Sequence, residues 1–390
     1  KVLTNLGSIE LQSGNFEEGV KLIQKSIEVD PNQPYAFYNV GNVLFKLKRY
    51  NEALINCDRA IALKPDFAEA YNNRGLTCNE LKRLDDALIC YDRAIALKPD
   101  YAEAYSNRGV TFGDLKRYDD ALICYDRAIA LKPDYAEAYW NKSALKILLG
   151  DYNEGWKLYE WRWKWSEQEK FFRNFKQPLW LGEQSISDKT LLIHAEQGLG
   201  DAIQFCRYAP MAEAMGAKIV LEVPKALTSL ISTLKGNFTI VEKGSSLPYF
   251  DLQCPMMSLP LAFKTTVETI PAEIAYLYAD EEKKKLWHKK LGSKTKPRIG
   301  LAWSGLTIHK NDLNRSISLK QLEPILQLPF EFHSLQKDIR AEDAKTLTHF
   351  NQIHLHQDEL IDFSDTAALV NELDVIISVD TSVAHLAGAL

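Results

Sequence analysis

The chain lacks the sequence features of several large protein classes. Its 390 residues include six cysteines but no C-x-x-C pair, which argues against a disulfide framework. No apolar run approaches the ~18–20 residues of a membrane span, and no secretion signal is recognisable. The net charge of −5 argues against a general nucleic-acid binder. We therefore expect a cytoplasmic protein with reduced thiols that neither spans a membrane nor binds nucleic acid.

Two catalytic signatures are also missing. No Asp-x-Asp occurs, and this carboxylate pair commonly holds a divalent ion on a nucleotide sugar. Neither glycine turn completes the G-x-G-x-x-G dinucleotide fingerprint, which disfavours an NAD-type dehydrogenase. His354 and His356 form an H-x-H pair on the edge of a predicted strand, where we expect too few ligands for a metal site. We expect no metal and no cofactor.

Repeats fill residues 1–165. Residues 65–98 and 99–132 are aligned copies that differ at seven of 34 positions. Residues 31–64 share their ending, and residues 133–166 share their opening. A fixed period of this length is typical of stacked two-helix units.

The spacing within one repeat predicts two helices joined by a turn. Small residues such as Ala70 and Gly75 allow a neighbouring helix to approach, and apolar residues from Ala87 onward recur at helical spacing. Pro99 is expected to end the second helix and Asp100 to cap the next one. This 34-residue pattern resembles the tetratricopeptide repeat. The resemblance implies about five repeats in a right-handed superhelix with a concave inner face.

One polar column runs through the repeats. Asparagine occupies the same position in the first helix of each repeat, namely Asn5, Asn39, Asn73, Asn107 and Asn141. A carboxamide both donates and accepts hydrogen bonds, so a ladder of them fits the backbone of an extended polypeptide. This interpretation predicts a protein or peptide on the concave face. The alternative is that asparagine is merely common at this repeat position.

Tryptophan is concentrated at the end of the last repeat and shortly after it. The residues concerned are Trp156, Trp161, Trp163, Trp165 and Trp180. We favour a hydrophobic cap that joins the solenoid to the next domain over a sugar-stacking platform. Residues 166–188 are therefore assigned to a Trp-rich junction.

From residue 189 the pattern changes to alternating strands and helices. TLLIHA and KIVLEV predict strands of a first unit, residues 189–295. RIGLAWSG, FEFHSL and DVIISVD predict strands of a second unit, residues 296–390. Such alternation favours parallel sheets covered by helices. The expected fold class is an α-solenoid followed by two Rossmann-like α/β units. The second has few strand–helix pairs, so we expect it to be truncated and the chain to be part of a longer protein.

A glycine turn follows the first strand of the first unit. HAEQGLGDAIQF (194–205) places Gly198 and Gly200 where a strand ends and a helix begins, with Asp201 at the helix start. Ligands bind at this edge of an α/β sheet, and helix amides there can hold an anion. Asp201 is available as a general base, or it serves only as a helix cap. One amphipathic helix is predicted to continue to Met215.

A similar turn follows the last strand of the second unit. Its chemistry-bearing residues are Asp380, Thr381, Ser382 and His385. Hydroxyls, backbone amides and the helix dipole converge there, which favours a diphosphate site. We expect His385 to donate to phosphate rather than only to pack. Lys310 and Arg315, in a loop after the unit's first strand, would neutralise a leaving pyrophosphate or remain solvated loop cations.

The segments GLGDAIQFCRYAP and DTSVAHLAGAL resemble the lipopolysaccharide heptosyltransferases, glycosyltransferase family 9. Two tandem α/β units with these turns look like the GT-B fold. The resemblance implies that Asp201 is the base and that residues 380–382, with His385 nearby, bind donor diphosphate. Lys310 or Arg315 matches the family's cationic group. Gln204 departs from the family, which usually has His there, and this affects the acceptor.

The fusion to repeats also resembles the O-linked N-acetylglucosamine transferases, which modify protein Ser and Thr and use an Asn ladder. The favoured hypothesis is an inverting, metal-independent glycosyltransferase. It would move a sugar from a nucleotide-diphosphate sugar to an acceptor hydroxyl, on a protein held by the repeats. The alternative is a non-catalytic scaffold that recruits proteins through its repeats and carries a relic or sensor sugar-nucleotide domain.

Overall fold

The computed structural model describes residues 2–165, 172–307, 312–350 and 352–390. The chain forms two compact units that are divided near residue 169. The described residues of the first unit are helical, and those of the second unit include two parallel sheets.

Ten helices of the first unit form five consecutive pairs among residues 2–165. They are α1 (Val2–Gln12), α2 (Phe16–Val29), α3 (Pro34–Lys46), α4 (Tyr50–Leu63), α5 (Ala68–Glu80), α6 (Leu84–Leu97), α7 (Ala102–Asp114), α8 (Tyr118–Leu131), α9 (Ala136–Leu148) and α10 (Tyr152–Tyr159). Each helix packs on its partner and on the following pair, and first helices of successive pairs also touch. The predicted two-helix repeat is confirmed.

The turn inside each pair needs one residue in the left-handed region. Gly14, Lys48, Lys82, Lys116 and Gly150 occupy this position, each with φ between 59° and 84°. Glycine adopts this conformation without steric cost, whereas lysine does so at a cost of roughly 1 kcal/mol. The three central repeats therefore keep a mildly strained lysine at a turn where the outer repeats use glycine.

The close helix approach predicted at Gly75 is present. A Cβ added to Gly75 would lie 2.6 Å from the ring of Tyr91, and one added to Gly109 would lie 2.7 Å from the ring of Tyr125. Both tyrosines are buried. In each of these pairs, the tyrosine ring on the second helix thus fills the space beside the glycine on the first helix, where any larger residue would place its side chain.

The cap predicted at Asp100 is wrong. The residue that precedes α7 is Tyr101, and no side chain caps the helix there. The Tyr101 amide instead donates to the Lys98 carbonyl at 3.1 Å, and the Ala102 amide donates to the Asp100 carbonyl at 3.0 Å. Backbone bonds of the Pro-Asp turn therefore satisfy this helix start.

The second unit contains two four-stranded parallel sheets. The first has β1 (Thr190–His194), β2 (Lys218–Val223), β3 (Phe238–Glu242) and β4 (Leu252–Pro255), in the order β3-β2-β1-β4. The second has β5 (Arg298–Ala302), β6 (Glu331–Ser334), β7 (Ile353–His354) and β8 (Val375–Ser378), in the order β7-β6-β5-β8. The predicted parallel α/β elements are confirmed, and both sheets have the same strand order.

Helices lie between the strands and after the last one. They are α11 (Leu199–Phe205), α12 (Ala209–Ala214), α13 (Thr228–Ile231), α14 (Leu259–Ala262), α15 (Glu281–Leu291), α16 (Asp312–Arg315), α17 (Glu323–Leu326), α18 (Ala341–Leu347), α19 (Phe363–Val370) and α20 (Ser382–Ala389). The single helix predicted up to Met215 is wrong, since a tight turn, Cys206–Tyr208, separates α11 from α12. Pro210 lies in the first turn of α12, and proline has no amide hydrogen to continue the earlier helix.

Residues 172–188, assigned above to the junction, pack within the second unit. Trp180 is buried, and its backbone amide donates to the Gln253 carbonyl at 2.8 Å. Phe175 packs on the face of the first sheet that contains Leu192 and Val220. The connection from β3 to β4 contains no helix, so this strap, residues 172–180, covers a face that a crossover helix would otherwise cover.

Candidate functional site

The predicted site residues lie at equivalent edges of the two sheets. Because β1 lies between β2 and β4, the chain reverses its strand order at the β1–β4 boundary. The β5–β8 boundary is equivalent in the second sheet. Ligands of open α/β sheets bind at the carboxyl end of such a boundary. The glycine turn follows β1, and residues 379–381 follow β8, so topology places both turns where ligands bind.

Asp201 closes the glycine turn. Its Oδ2 atom accepts a hydrogen bond from the backbone amide of Gly198 at 2.9 Å, which caps the start of α11. Asp201 therefore caps the helix in the structure. This bond uses Oδ2 of Asp201 and leaves its Oδ1 atom for another role. Gly198 and Gly200 are outside the left-handed region, so neither is required there for an unusual backbone conformation.

Gly200 is required for space. Helices α11 and α20 pack against each other, and a Cβ on Gly200 would lie 2.6 Å from Cδ2 of His385. The same atom would lie 3.5 Å from the Cα of Ser382. The two turns that the sequence predicts separately are thus in contact, and the absence of a side chain at Gly200 permits it.

The electrostatics of Asp201 depend on both turns. Burial raises the pKa of its carboxyl, and the nearby charge of Asp380 raises it further. The Gly198 amide and His385 oppose the rise by favouring the ionised form. A carboxylate with a raised pKa is a stronger base than one with the ordinary pKa.

The turn after β8 brings several polar groups to the start of α20. Asp380 is exposed, while Thr381, Ser382 and His385 are half-buried. The Thr381 hydroxyl lies 3.1 Å from that of Ser378 and does not cap the helix. The amide end of an eight-residue helix with adjacent hydroxyls suits an anion.

Arg315 lies at the carboxyl end of β5. Its guanidinium packs on Gly305, where an added Cβ would lie 2.4 Å from an Nη atom. Gly305 follows β5, the strand that pairs with β8, so Arg315 is at the same sheet edge as Thr381. Lys310 lies outside the described residues.

The sequence analysis missed Arg340. Its Nη2 atom donates to Asp312 Oδ2 at 2.6 Å, to the Gly305 carbonyl at 3.1 Å and to Ser316 Oγ at 3.1 Å. Burial favours the neutral form of Asp312, but bonds from Ser316 and Arg340 outweigh it and hold the pKa of this carboxyl below its usual value. Arg340 thus fixes both ends of the loop that contains Arg315. Only the three-dimensional fold brings it there, and no sequence motif marks it.

Gln336 holds the neighbouring part of that loop. Its Oε1 atom accepts from the Ser304 amide at 3.1 Å, and its Nε2 atom donates to Ser304 Oγ at 3.0 Å. Gln336 follows β6, so adjacent strands fix the Ser304–Gly305 segment.

The asparagine column contributes bonds between repeats. Asn107 donates through Nδ2 to Asn72 Oδ1 at 2.9 Å, and Asn73 donates in the same way to Asn42. These bonds join first helices of successive pairs, so part of the column has a structural role. The remaining ladder residues, Asn39 and Asn141, are half-buried, and Asn5 is exposed.

The aromatic end of the first unit is internally packed. Trp161 stacks on Tyr139 with ring centroids 3.7 Å apart, and Lys164 lies 4.0 Å from the centroid of Trp161. Trp140 contacts both Tyr159 and Trp165. These contacts within the first unit favour hydrophobic packing at the end of the repeats over a free sugar-stacking platform.

The described part of the chain contains no group of three or more His, Cys, Asp or Glu residues arranged to hold a metal ion. None of the helices described here is long and apolar enough to cross a membrane. All six cysteines are buried.

Comparisons with known proteins match the first unit most clearly. The tetratricopeptide repeat family matches residues 1–33, 34–67 and 102–135, and a related TPR repeat family matches residues 75–116. The N-terminal unit is thus built of tetratricopeptide repeats. Protein FlbA of Caulobacter vibrioides is 26% identical over 275 residues, which are 64% of this chain. The chain spans 46% of the length of FlbA.

Three solved structures are similar to part of the chain. The protein MamA is 23% identical and aligns 43% of this chain with 97% of its own, with a TM-score of 0.38. A thermophilic TPR protein of Thermus thermophilus is 22% identical, over 43% of this chain and 92% of its own, with a TM-score of 0.39. The type IV pilus biogenesis factor PilW is 22% identical, over 44% and 80%, with a TM-score of 0.40.

Proposed function

We propose that this protein is an interaction scaffold that binds a polypeptide partner through its tetratricopeptide repeats. The observation that carries this proposal is the asparagine column, which follows successive first helices. Asn73 and Asn107 each use one amide hydrogen between repeats. Each carboxamide has a second donor and a carbonyl oxygen for a ligand backbone. Such a ligand would be extended and recognised with little sequence preference.

Peptide binding tests the scaffold proposal. Fluorescence anisotropy with a panel of labelled extended peptides should show binding by the wild-type chain. Replacing Asn73 and Asn107 together by Ala should weaken it at least tenfold. Asn153→Ala is the matched control, because Asn153 is exposed on α10, a second helix. Equal affinity of the double variant and the control would contradict the ladder.

A second function is favoured by the contact between the two turns. We infer a metal-independent glycosyltransferase of GT-B type, in which the donor diphosphate lies at the start of α20 and the acceptor lies by Asp201. The close approach of Gly200 to His385 supports this arrangement, since it brings base and diphosphate residues to one place. The raised pKa of Asp201 also suits a general base.

The proposed reaction is a single displacement. Asp201 accepts the proton of the acceptor hydroxyl, whose oxygen forms a bond to the anomeric carbon. The bond from that carbon to the diphosphate oxygen breaks, and its electron pair leaves with the diphosphate, so the configuration inverts. The α20 amides, His385 and Arg315 stabilise the leaving charge. Arg340 positions Arg315 by holding its loop.

The transferase proposal has its own test. Nucleoside-diphosphate release is measured for UDP-, GDP- and ADP-sugars, with and without bacterial protein extract as a source of acceptors. Release that needs one donor and the extract supports a transferase. Absence of release, together with peptide binding by the repeats, favours the scaffold alone.

A further inference from the structure

A buried pair of histidines lies in the second sheet, away from both turns. His333 on β6 and His356 after β7 face each other, with Nδ1 of His333 3.0 Å from Nε2 of His356. The outer nitrogens face carboxylates, since Nε2 of His333 lies 3.1 Å from Glu331 and Nδ1 of His356 lies 3.2 Å from Glu359. The four side chains form one continuous row, hereafter the histidine row.

The row is buried, and charged and aromatic side chains of neighbouring elements surround it. His333 is 0% exposed and His356 is 4% exposed. Arg298 of β5 bonds to Glu331, and Lys290 of α15 pairs with Glu359. Trp287 of α15 meets the His356 ring edge-on with centroids 4.9 Å apart, and the exposed ring of His354 stacks on His333.

Counting protons shows how the row responds to acid. Its three contacts between heavy atoms need three protons, whereas two neutral imidazoles supply only two. One additional proton completes the row and is shared between the inner nitrogens. A second additional proton leaves two N–H groups pointing at each other across 3.0 Å, with no acceptor between two like charges.

Both rings of the row have a pKa below that of free histidine. Burial lowers the pKa of His333 to about 4, and the neighbouring His356 contributes to this shift. Burial also lowers the pKa of His356, with Glu359 in opposition. Unfolded histidine titrates near 6.5. The unfolded chain therefore binds more protons than the folded chain between about pH 6.5 and pH 4, so folding stability falls as pH falls through this window.

We propose that the histidine row is an acid-sensitive lock, which retains its structure with one shared additional proton and opens when a second arrives. Opening separates β6 and the residues after β7 from α15, because the row connects these elements. β6 leads into Gln336, which holds the Ser304–Gly305 segment. Acid would thereby loosen the Ser304–Gly305 segment, whatever ligand the site binds.

Chemical denaturation of the full chain between pH 7 and pH 4 tests the lock. His356→Gln places an amide near the position of Nε2 and cannot titrate. Each proton that the unfolded state binds in excess changes the unfolding constant about tenfold per pH unit. We expect the wild-type pH dependence to exceed that of His356→Gln by about this factor. His349→Gln is the control, because His349 is exposed and bonds to Thr348 and Lys345 rather than to the row, and it should behave as wild type. Equal pH dependence of wild type and His356→Gln would overturn the proposal.

Nitrogen NMR of the wild-type chain labelled in histidine gives a second readout, which needs no variant to fold. We expect the nitrogen resonances of His333 and His356 to titrate together. The Trp287 indole signal should be unchanged when the first additional proton binds and lost when the second binds. Independent titration of the two rings near pH 6.5 would contradict a shared proton.

Discussion

The two units of the chain differ in how far apart in the sequence their contacting residues lie. In the repeat unit, helices contact their partners and the next pair, so each contact joins residues close in the chain. In the α/β unit, Gly200 of α11, which follows the first strand of the first sheet, packs on His385 of α20, which follows the last strand of the second sheet. The repeat unit is therefore a sum of local contacts, whereas the candidate site depends on the complete topology. Substitutions should distinguish the two.

The largest expected effect is loss of a buried ion pair in the α/β unit. Arg173 on the strap pairs with Glu222, which is 0% exposed. Arg173→Met should destabilise this unit by about 3 kcal/mol, because it leaves a buried carboxylate without its cation. Urea denaturation with hydrogen-exchange mass spectrometry measures the loss and locates it.

The matched control is an exposed pair in the repeat unit. Arg83 and Asp86 are neighbours in sequence, and both are nearly half exposed. Arg83→Met should cost under about 1 kcal/mol. Similar losses for Arg83→Met and Arg173→Met would remove the distinction between the units.

The next effect concerns the contact between the two turns. Gly200→Ala places a Cβ against His385 and should cost about 1–3 kcal/mol of stability, with weaker nucleotide binding by the α/β unit. Gly113→Ala in α7 is the control, because nothing lies within 4 Å of its added Cβ. It should stabilise the repeat unit by about 0.5–1 kcal/mol. Calorimetric unfolding of both variants checks the opposite signs.

A smaller effect separates the two roles of the asparagine column. Asn107→Ala removes its bond to Asn72 and should destabilise the repeats by about 1 kcal/mol. Asn5 is exposed, so Asn5→Ala should leave thermal stability unchanged. Weaker peptide binding by both variants would support the ladder. An effect of Asn107→Ala on stability alone would make the column purely structural.

The smallest effect tests strain in the repeat turns. Lys82→Gly gives this turn the residue that Gly150 supplies in the last pair. The relief of left-handed strain is partly offset by the greater freedom of glycine in the unfolded chain, so we expect a gain of about 0.5 kcal/mol. Thermal unfolding should show a slightly raised midpoint, and a lowered one would contradict the strain argument.

The sequence was most informative where its pattern is local. The 34-residue period predicted the helix pairs, and TLLIHA and KIVLEV predicted β1 and β2. The prediction of one continuous helix through Pro210 is wrong. The helical spacing of apolar residues continues past this point, but proline lacks the amide hydrogen that a continuous helix needs. Arg340, the strap and the histidine row were not predictable, since each depends on which strands become neighbours. The sequence marks Gly200 only as part of a turn between a strand and a helix, whereas its role in the structure is to leave space for His385.

Asp201→Asn tests most directly whether the two turns form one transferase site. Asparagine keeps an oxygen that can accept the Gly198 amide, so the cap of α11 is retained. Calorimetric titration with nucleoside diphosphates and measurement of sugar transfer are made on the same preparations. We predict that wild type and Asp201→Asn bind the diphosphate with equal affinity and that only wild type transfers sugar. Full transfer by Asp201→Asn, or no diphosphate binding by wild type, would contradict the site.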